Sequence, residues 1–309
     1  MALQAQDAVD DCIIIGAGPA GLTAAIYLAR FHLSIRLFDS GDSRAAMIPC
    51  THNHAGYPQG VRGTVLLADM LTQAESFGAV REATEVVAIE RDNDAFVVVT
   101  DKGRHPARTV LLATGVVNNR PDMPAALHDQ ALEAGQLRYC PICDGYEVTD
   151  KRVGVIGTGD HGMREALFLR GYTRDVTLIA PETAHDLDAA CAAKLDEAGI
   201  VRVDGPCGGY ALEDDHLVVA TAAGPLRFDS VYPALGSRIR SQLAVAAGAR
   251  ASDDGCLEVD EHQRTSVPGL FAAGDVVKGL DQISHAMGEA GVAATTIRNL
   301  LAEQRTLWR

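Results

Sequence analysis

The sequence contains no long apolar run. None of its uninterrupted apolar stretches approaches the ~18 residues that a membrane-spanning helix requires. The segment before residue 12 carries acidic residues and lacks the cationic cluster with which secretory signal peptides begin. We therefore expect a soluble, cytoplasmic protein that has no membrane partner.

Positive charge is also scarce. The 309 residues include 27 Lys and Arg against 41 Asp and Glu, so the formal net charge at pH 7 is -14. Such a chain is repelled by nucleic acid and by anionic lipid, which argues against both as partners. Acidic surfaces commonly serve solubility, and a partner with a basic face is the alternative. Hydrophobic residues make up 47% of the chain, enough for the cores of two domains of roughly 150 residues each.

Cysteines are few and dispersed. Of the seven, only Cys140 and Cys143 are close in sequence. An odd, scattered set does not match the disulfide framework of a small secreted protein. No second CxxC and no nearby Cys/His pair completes a zinc site, so we expect no metal. The simplest interpretation of the other five is that they are small packing residues, namely Cys12, Cys50, Cys191, Cys207 and Cys256.

The stretch Cys140-Pro-Ile-Cys143-Asp144 has the spacing of a pair that can close a reversible disulfide. The thiolate is the reactive form of cysteine, and CxxC pairs often have a lowered thiol pKa. By itself the motif is compatible with redox, zinc-binding and structural sites. Its position between two glycine-rich turns favours the redox interpretation.

The first glycine-rich turn follows an apolar run at 12–15. Gly16, Gly18 and Gly21 form the pattern GxGxxG, with Pro and Ala between the last two, and a helical pattern follows. These glycines permit a tight turn, close approach of a pyrophosphate, and close packing of a helix on a strand. The N–H groups at the start of the helix then face the phosphates. Asp39, at the end of the next apolar run, is placed to bind ribose hydroxyls.

The same turn recurs about 140 residues later. An apolar run at 153–156 precedes Gly157, Gly159 and Gly162. After the next apolar run the chain reads Ala-Pro-Glu-Thr and lacks the arginine that NADP recognition needs for the 2′-phosphate. Glu182 instead suits the 2′-hydroxyl of NAD, or the second turn binds no nicotinamide.

Two dinucleotide-type turns in one chain predict two Rossmann-like domains. We expect an α/β fold with three-layer domains, the second inserted into the first. The first domain would comprise residues 1–117 and 242–309, and the inserted domain residues 118–241. A final helix is expected from about 288 to 301.

Five stretches, in this order, make the chain similar to the low-molecular-weight thioredoxin reductase family. They are Gly16-Ala-Gly-Pro-Ala-Gly21, Ala113-Thr-Gly115, Cys140-Pro-Ile-Cys143-Asp144, Gly157-Thr-Gly-Asp160 and Phe271-Ala-Ala-Gly-Asp275. The resemblance covers nearly the whole chain. It implies FAD in the interrupted domain, an NAD(P)-binding-like inserted domain that carries a redox disulfide, and a homodimer.

The resemblance also implies roles for individual residues. Cys143 would face the flavin, Cys140 would exchange with the partner disulfide, and Asp144 would move the proton. Gln282 would lie beside the flavin ring. The residues implied to hold FAD are Gly16, Gly18, Pro19, Ala20, Gly21, Asp39, Ser40, Asn53, Ala113, Thr114, Gly115, Gly274, Asp275, Gln282 and Ile283. Taken alone, Asp275 is equally well explained as an N-cap or turn aspartate.

Some features depart from the family pattern. The arginine-rich segment that reads NADPH is absent after residue 179, and residues 51–58 and 139–146 resemble deep-branching thioredoxin reductase-like flavoproteins without that signature. Some of those relatives take electrons from ferredoxin, and others oxidise small dithiols with oxygen. We therefore predict a FAD-dependent dithiol/disulfide oxidoreductase that uses Cys140–Cys143 and does not use NADPH efficiently. Its partner would be a thioredoxin-like protein or a small dithiol or disulfide, with ferredoxin as a donor.

Several alternatives stand beside this prediction. One is an NAD(P)H-dependent thioredoxin-disulfide reductase, another an oxygen-dependent small-molecule dithiol oxidase, and a third a flavin-loaded redox sensor without turnover. His52 and His54, near the flavin in relatives, either tune it, relay a proton or have no role. Trp308 either stacks on the flavin ring, as C-terminal aromatic residues do in some relatives, or belongs to a frayed tail.

Overall fold

The structure, a computed structural model, describes residues 9–92 and 95–308. Its strands are β1 (Asp10–Ile15), β2 (Ile35–Asp39), β3 (Val80–Ala83), β4 (Val86–Asp92), β5 (Ala95–Thr100), β6 (Gly103–Leu112), β7 (Val116–Asn118), β8 (Val153–Ile156), β9 (Val176–Ile179), β10 (Val201–Val203), β11 (Cys207–Glu213), β12 (His216–Thr221), β13 (Gly224–Phe228), β14 (Ser230–Pro233), β15 (Ser237–Ile239) and β16 (Leu270–Ala272). Its helices are α1 (Pro19–Arg30), α2 (Gly63–Ser76), α3 (Ala125–Glu133), α4 (Pro141–Asp144), α5 (Gly159–Leu169), α6 (Ala189–Glu197), α7 (Gln242–Ala246) and α8 (Ile283–Gln304), with 3₁₀ helices at Arg44–Met47 and Gly145–Val148.

The N-terminal segment and the helices bear on the expectations about a signal peptide and a membrane span. The segment considered for a signal peptide lies, up to residue 8, outside the described residues. Within the described part of the chain, none of the helices combines the length and the apolar character that a bilayer crossing needs.

The larger sheet has the strand order β3-β2-β1-β6-β5-β4, with β16 paired to β6. β1, β2, β3, β6 and β16 run parallel to one another, whereas β5 pairs antiparallel with β6, and β4 pairs antiparallel with β5. In the parallel register Ile15 lies opposite both Phe38 and Leu112, and Ala272 also lies opposite Leu112. These strands therefore end at one edge of the sheet, and the residues that follow them come together there.

Both faces of this sheet are buried. Along β1, Cys12 and Ile14 belong to one core, which includes α1, α2 and α8, while Ile13 and Ile15 belong to the core on the other side. Alternate side chains of a strand point to opposite faces, so a strand covered on both sides is apolar throughout. Each fully buried Ile contributes about 2 kcal/mol to stability by leaving water.

Helix α8 begins at Ile283 and not near Gly288, so the predicted start of the final helix was wrong. Its residues Ala286, Ala290 and Ala293 are buried, and α8 packs against α1. Burial of this face stabilises the helical conformation and outweighs the low helix propensity of the two internal glycines, Gly288 and Gly291.

A second sheet carries the second glycine turn. It is fully parallel, with the order β10-β9-β8-β14, and α5 connects β8 to β9. An antiparallel sheet, β11-β12-β13, was not predicted. β7 pairs antiparallel with β15 where the chain leaves and re-enters the larger sheet. The predicted α/β fold of two Rossmann-like units, one inside the other, is thus confirmed, and the boundaries at 1–117, 118–241 and 242–309 stay a prediction.

Candidate active site

A cavity of about 850 Å³ lies at the edge where the parallel strands of the larger sheet end. Its wall includes both the first glycine turn and the sulfur-bearing residues Cys140 and Cys143. Ligand pockets in proteins commonly measure about 300–1,000 Å³, so this cavity has room for a large cofactor.

Nearly all of the residues predicted to hold FAD line this cavity, although they come from six separate stretches of the chain. They are Gly16, Gly18, Pro19, Ala20, Asp39, Ser40, Asn53, Ala113, Thr114, Gly115, Gly274, Asp275, Gln282 and Ile283. Gly21 is not part of the lining, because it packs inside the turn.

The three glycines of the first turn have different environments. Gly16 has a φ of +105°, and a Cβ there would lie 2.4 Å from the carbonyl oxygen of Ala113. A Cβ on Gly21 would lie 1.8 Å from the carbonyl oxygen of Gly16, so this glycine allows helix and strand to pack. A Cβ on Gly18 would meet only Ser43 Oγ, at 3.4 Å. α1 starts directly after Gly18, so its unpaired N–H groups make this open turn a site for an anion.

Asp39 is held in place by two donors. Its Oδ1 accepts from the backbone N–H of Ala17 at 3.3 Å, and its Oδ2 accepts from Arg81 Nη2 at 2.6 Å. The Asp39 side chain is only 11% exposed. A carboxylate has about four acceptor positions, so Asp39 keeps capacity for ribose hydroxyls. Arg81 was not predicted as a site residue, because it lies on β3, which pairs with β2 only in the folded sheet.

Arg44 joins two acidic residues of the cavity wall. Its Nη1 lies 3.0 Å from Asp275 Oδ2 and 2.9 Å from Asp281 Oδ2. Burial, followed by the negative charge of Asp275, raises the pKa of the Asp281 carboxyl, and Arg44 opposes this rise. The predicted residue Asp275 is thus part of an ion-pair cluster, and its two partners were not identified from the sequence.

Cys140 and Cys143 form a disulfide at the start of α4. The Gln282 amide points at it, with Nε2 3.5 Å from Cys140 Sγ and 3.3 Å from Cys143 Sγ. Asn53 Nδ2 donates to Gln282 Oε1 at 2.9 Å, and Thr51 Oγ1 donates to Asn53 Oδ1 at 2.8 Å. This chain of hydrogen bonds fixes the orientation of both amides and directs an N–H donor to the two sulfur atoms.

Asp144 follows the second cysteine and binds two partners. Its Oδ2 accepts from Arg138 Nη1 at 3.0 Å, and its Oδ1 accepts from the Tyr232 hydroxyl at 2.9 Å. Burial raises the pKa of the Asp144 carboxyl above its usual value, while Arg138 and Tyr232 act in the opposite direction. Burial also raises the pKa of Tyr232, which keeps this hydroxyl protonated as a donor. Asp144 is therefore a carboxyl group able to hold and release a proton close to the disulfide.

The second glycine turn lies away from this cavity, since Gly157, Gly159 and Gly162 are absent from its wall. The segment after β9 folds over the turn: the backbone N–H of Asp186 donates to Thr158 Oγ1 at 2.8 Å. His185 Nδ1 also lies 3.3 Å from the same oxygen.

Of the remaining residues considered in the sequence, some line the cavity and others do not. Trp308 is 92% exposed and does not line the cavity, so the structure does not bring it to the predicted flavin site. His54 stacks on Tyr57, with ring centroids 5.5 Å apart, whereas His52 lines the cavity. The interpretation of Cys50 as a packing residue was wrong, because its side chain lies exposed on the cavity wall.

Comparison with known proteins agrees with this geometry. The profile of the pyridine nucleotide-disulphide oxidoreductase family matches residues 10–290. The thioredoxin reductase of Mycolicibacterium smegmatis is 33% identical to this chain over 316 residues, which cover 96% of this chain and 98% of the relative.

Two solved structures have the same fold. The thioredoxin reductase from Streptococcus pyogenes MGAS5005 aligns with a TM-score of 0.87 and 26% identity, covering 96% of this chain and 99% of that one. The structure of HlmI aligns with a TM-score of 0.88 and 29% identity, covering 98% of this chain and 96% of that one. The chain therefore belongs to the pyridine nucleotide-disulphide oxidoreductase family and, within it, to the flavin-dependent disulfide oxidoreductases of the low-molecular-weight thioredoxin reductase type.

Proposed function

We propose that this protein is a FAD-dependent dithiol/disulfide oxidoreductase whose working pair is Cys140–Cys143 and whose electron donor is not NADPH. The observation that carries the proposal is that the disulfide and the first glycine turn line one cavity. A dinucleotide held at the turn could extend to the sulfur atoms inside that cavity.

The donors and acceptors of the cavity fit FAD. The open N-terminus of α1 at Gly18 suits the pyrophosphate, and the Asp39 carboxylate suits the ribose hydroxyls. Asp275 lines the same cavity and would accept hydrogen bonds from the ribityl chain, and Gln282 and Asn53 lie near the disulfide. FAD, when bound, supplies the two-electron donor or acceptor that interconversion of a dithiol and a disulfide requires.

The two cysteines perform the exchange with the partner. In the reducing direction, the Cys140 thiolate attacks a disulfide of the partner, which forms a mixed disulfide and releases one partner thiolate. Cys143 then attacks the Cys140 sulfur, which restores the Cys140–Cys143 disulfide and releases the second, reduced sulfur of the partner. Asp144 gives and takes the protons of these thiols. With a dithiol as partner the same steps run in reverse.

Apolar side chains beside the disulfide offer a contact for the partner. Ile142 lies between the two cysteines and is 52% exposed, and Tyr146 lies just after α4 and is 81% exposed. Exposed large apolar groups beside a reactive site commonly mark contact with a partner. A thioredoxin-like protein or a small disulfide would pack against them. Assembly of the chain as a homodimer, and its division at 118 and 242, are further parts of this proposal.

The surroundings of the second glycine turn support a donor other than NADPH. Ala180 and Pro181 follow β9 where an arginine would hold the 2′-phosphate. The backbone N–H of Asp186 already donates to Thr158 Oγ1 in the turn. The segment after β9 therefore lacks the arginine that a 2′-phosphate needs and covers the turn that would bind the pyrophosphate.

The second candidate function is an NAD(P)H-dependent thioredoxin-disulfide reductase. It is favoured by the names of the relatives, because the 33% identical protein is a thioredoxin reductase. In that case the segment at His185 and Asp186 would have to leave the second turn before a nicotinamide dinucleotide could bind.

An anaerobic titration distinguishes the two functions. The flavin absorbance of the purified protein is followed while NADPH, NADH and then dithiothreitol are added. Bleaching by dithiothreitol alone supports the proposed function, and reduced ferredoxin and oxygen are then tested as donor and acceptor. Rapid bleaching by NADPH or NADH supports the second candidate. The Cys140→Ser/Cys143→Ser double variant is the control: dithiothreitol should no longer bleach its flavin, and unchanged bleaching would contradict the role of this pair.

A further inference from the structure

Cys50 contacts a histidine that is itself bound by a carboxylate, an arrangement typical of an activated thiol. Its Sγ lies 3.6 Å from Nε2 of His52, and Nδ1 of His52 lies 3.0 Å from Oε1 of Glu147. All three side chains line the cavity that also contains the Cys140–Cys143 disulfide. A nucleophile within hydrogen-bond reach of a base, with the base oriented by a third group, is the arrangement found in nucleophilic catalysis.

The Glu147 carboxylate determines which ring nitrogen of His52 carries the proton and which one can accept a hydrogen bond. An ionised Glu147 only accepts hydrogen bonds, so the proton of a neutral His52 resides on Nδ1. Nε2 then carries a lone pair and faces the Cys50 thiol, which donates to it. The geometry therefore favours transfer of the Cys50 proton to His52.

The surrounding backbone is shaped to keep this arrangement. Gly60 has a φ of +72°, and a Cβ there would lie 2.5 Å from Cys50 Sγ and 2.6 Å from His52 Cδ2. Thr51 is bridged to Val61, which fixes the loop between the two side chains. Thr51 starts the hydrogen-bond chain to Gln282. Alternate residues of the loop therefore contact the Cys50 thiol and orient the amide beside the Cys140–Cys143 disulfide.

Glu147 is also fixed. It lies in the 3₁₀ helix that follows α4, and its Oε2 is buried with no hydrogen-bond partner among the described residues. The carboxylate therefore directs its other oxygen, Oε1, to His52. The CxxC segment and the Cys50 loop are thereby joined through one hydrogen bond.

We propose that Cys50, His52 and Glu147 form a second thiol centre that captures a small-molecule disulfide as a mixed disulfide on Cys50. The Cys50 proton moves to His52 Nε2, and the thiolate attacks one sulfur of R–S–S–R. The S–S bond of the small molecule breaks as the Cys50–S–S–R bond forms. The released R–S⁻ takes the proton from His52, so Cys50 is oxidised and one half of the small disulfide is reduced. This reaction does not depend on the flavin or on the function proposed above.

The other free thiols provide internal comparison. Burial raises the pKa of Cys12 to about 12 and also raises the pKa of the half-buried Cys256. At neutral pH both are held as thiols, which do not attack disulfides. Cys50 is exposed and faces a base, so it should be the first of the free cysteines to react.

The test uses the whole protein as purified, with Cys140 and Cys143 oxidised, and bis(2-hydroxyethyl) disulfide as the probe. Samples taken at about pH 7 are acidified, digested and mapped by mass spectrometry. We expect the mixed disulfide on Cys50 to form about tenfold or more faster than that on Cys256. His52→Gln and Glu147→Gln should each reduce the rate at Cys50 toward that of Cys256. His262→Gln is the matched control, because the His52 and His262 side chains are both 51% exposed.

Two results would overturn the proposal. Equal rates at Cys50 and Cys256 would show that Cys50 is not activated. An unchanged Cys50 rate in both His52→Gln and Glu147→Gln would show that exposure alone explains its reactivity. Buried Cys12 stays unmodified as long as the chain is folded, so it reports any variant that unfolds. If His52→Gln exposes Cys12, that variant is unfolded. The rate at Cys50 in Glu147→Gln and the ratio of the Cys50 and Cys256 rates in the wild type then test the proposal.

Discussion

The Nε2 atom of Gln282 lies 3.3 Å from the Sγ atom of Cys143, although the two residues are 139 positions apart in the chain. The contact joins the start of α8, which returns to the larger sheet, with the redox pair beside the second sheet. An N–H donor at this place stabilises negative charge on sulfur, which appears when the disulfide is reduced.

Replacement of Gln282 by Leu should raise the thiol pKa of Cys143 by about one unit, because a hydrogen bond to a charged group contributes roughly 1.5–3 kcal/mol. The measurement is the rate of alkylation of Cys143 against pH in the reduced protein. Gln130→Leu, on the exposed side of α3, is the control and should have the wild-type profile. A wild-type profile for Gln282→Leu as well would contradict the role of this amide.

Asp144→Asn should slow reduction of the Cys140–Cys143 disulfide by dithiothreitol, by about a hundredfold at the lower end of the pH range. Burial raises the pKa of Asp144, so the proton-donating form is present below that pKa and is lost as the pH rises through it. The ratio of wild-type to variant rates should therefore fall with rising pH. Stopped-flow measurement of flavin bleaching gives this ratio, with the exposed Asp253→Asn as control. A ratio independent of pH would argue that Asp144 does not transfer the proton.

Glu165→Gln should stabilise the protein above neutral pH. Burial raises the pKa of Glu165 to about 7, and its Oε2 finds no hydrogen-bond partner among the described residues. A raised carboxyl pKa means that the folded state binds the proton more tightly, so wild-type stability falls as the pH rises from about 4.5 through about 7. Urea unfolding near pH 5 should give nearly the same free energy of unfolding for variant and wild type. Near pH 8 the free energy of unfolding of the variant should be higher by on the order of 2 kcal/mol. Glu303→Gln, on the exposed face of α8, should show no such trend.

Gly18→Ala should weaken binding of FAD, because the added methyl group would enter the cavity where the phosphates approach the turn. The flavin-to-protein absorbance ratio after purification measures the loss. Gly288→Ala is the matched control: it lies on the exposed side of α8 with no atom near an added Cβ. That variant should keep its flavin and gain about 0.5–1 kcal/mol of stability, because alanine is the better helix former. Equal flavin content in the two variants would contradict the proposed position of the pyrophosphate.

Local patterns in the sequence were sufficient to predict the two glycine turns and the strands before them. A strand, a turn that needs glycine and a helix N-terminus are made by residues adjacent in the chain, so their signal is local. The parallel arrangement then brings the ends of β1, β2, β6 and β16 to one edge, and the predicted positions at Gly16, Asp39, Ala113 and Gly274 meet there. The start of α8 was missed because packing against α1 outweighs the propensity of a glycine.

The amino-acid sequence by itself determined the α/β class, the repeated turn, the CxxC pair and the family resemblance, since each depends on residues near one another in the chain. Only the tertiary structure decided which side chains complete the site. Arg81 reaches Asp39, Arg44 reaches Asp275, Asn53 orients Gln282, and His52 reaches Glu147. These partners are separated by tens to hundreds of positions, and a hydrogen bond depends on distance and direction in space, which local pattern does not specify.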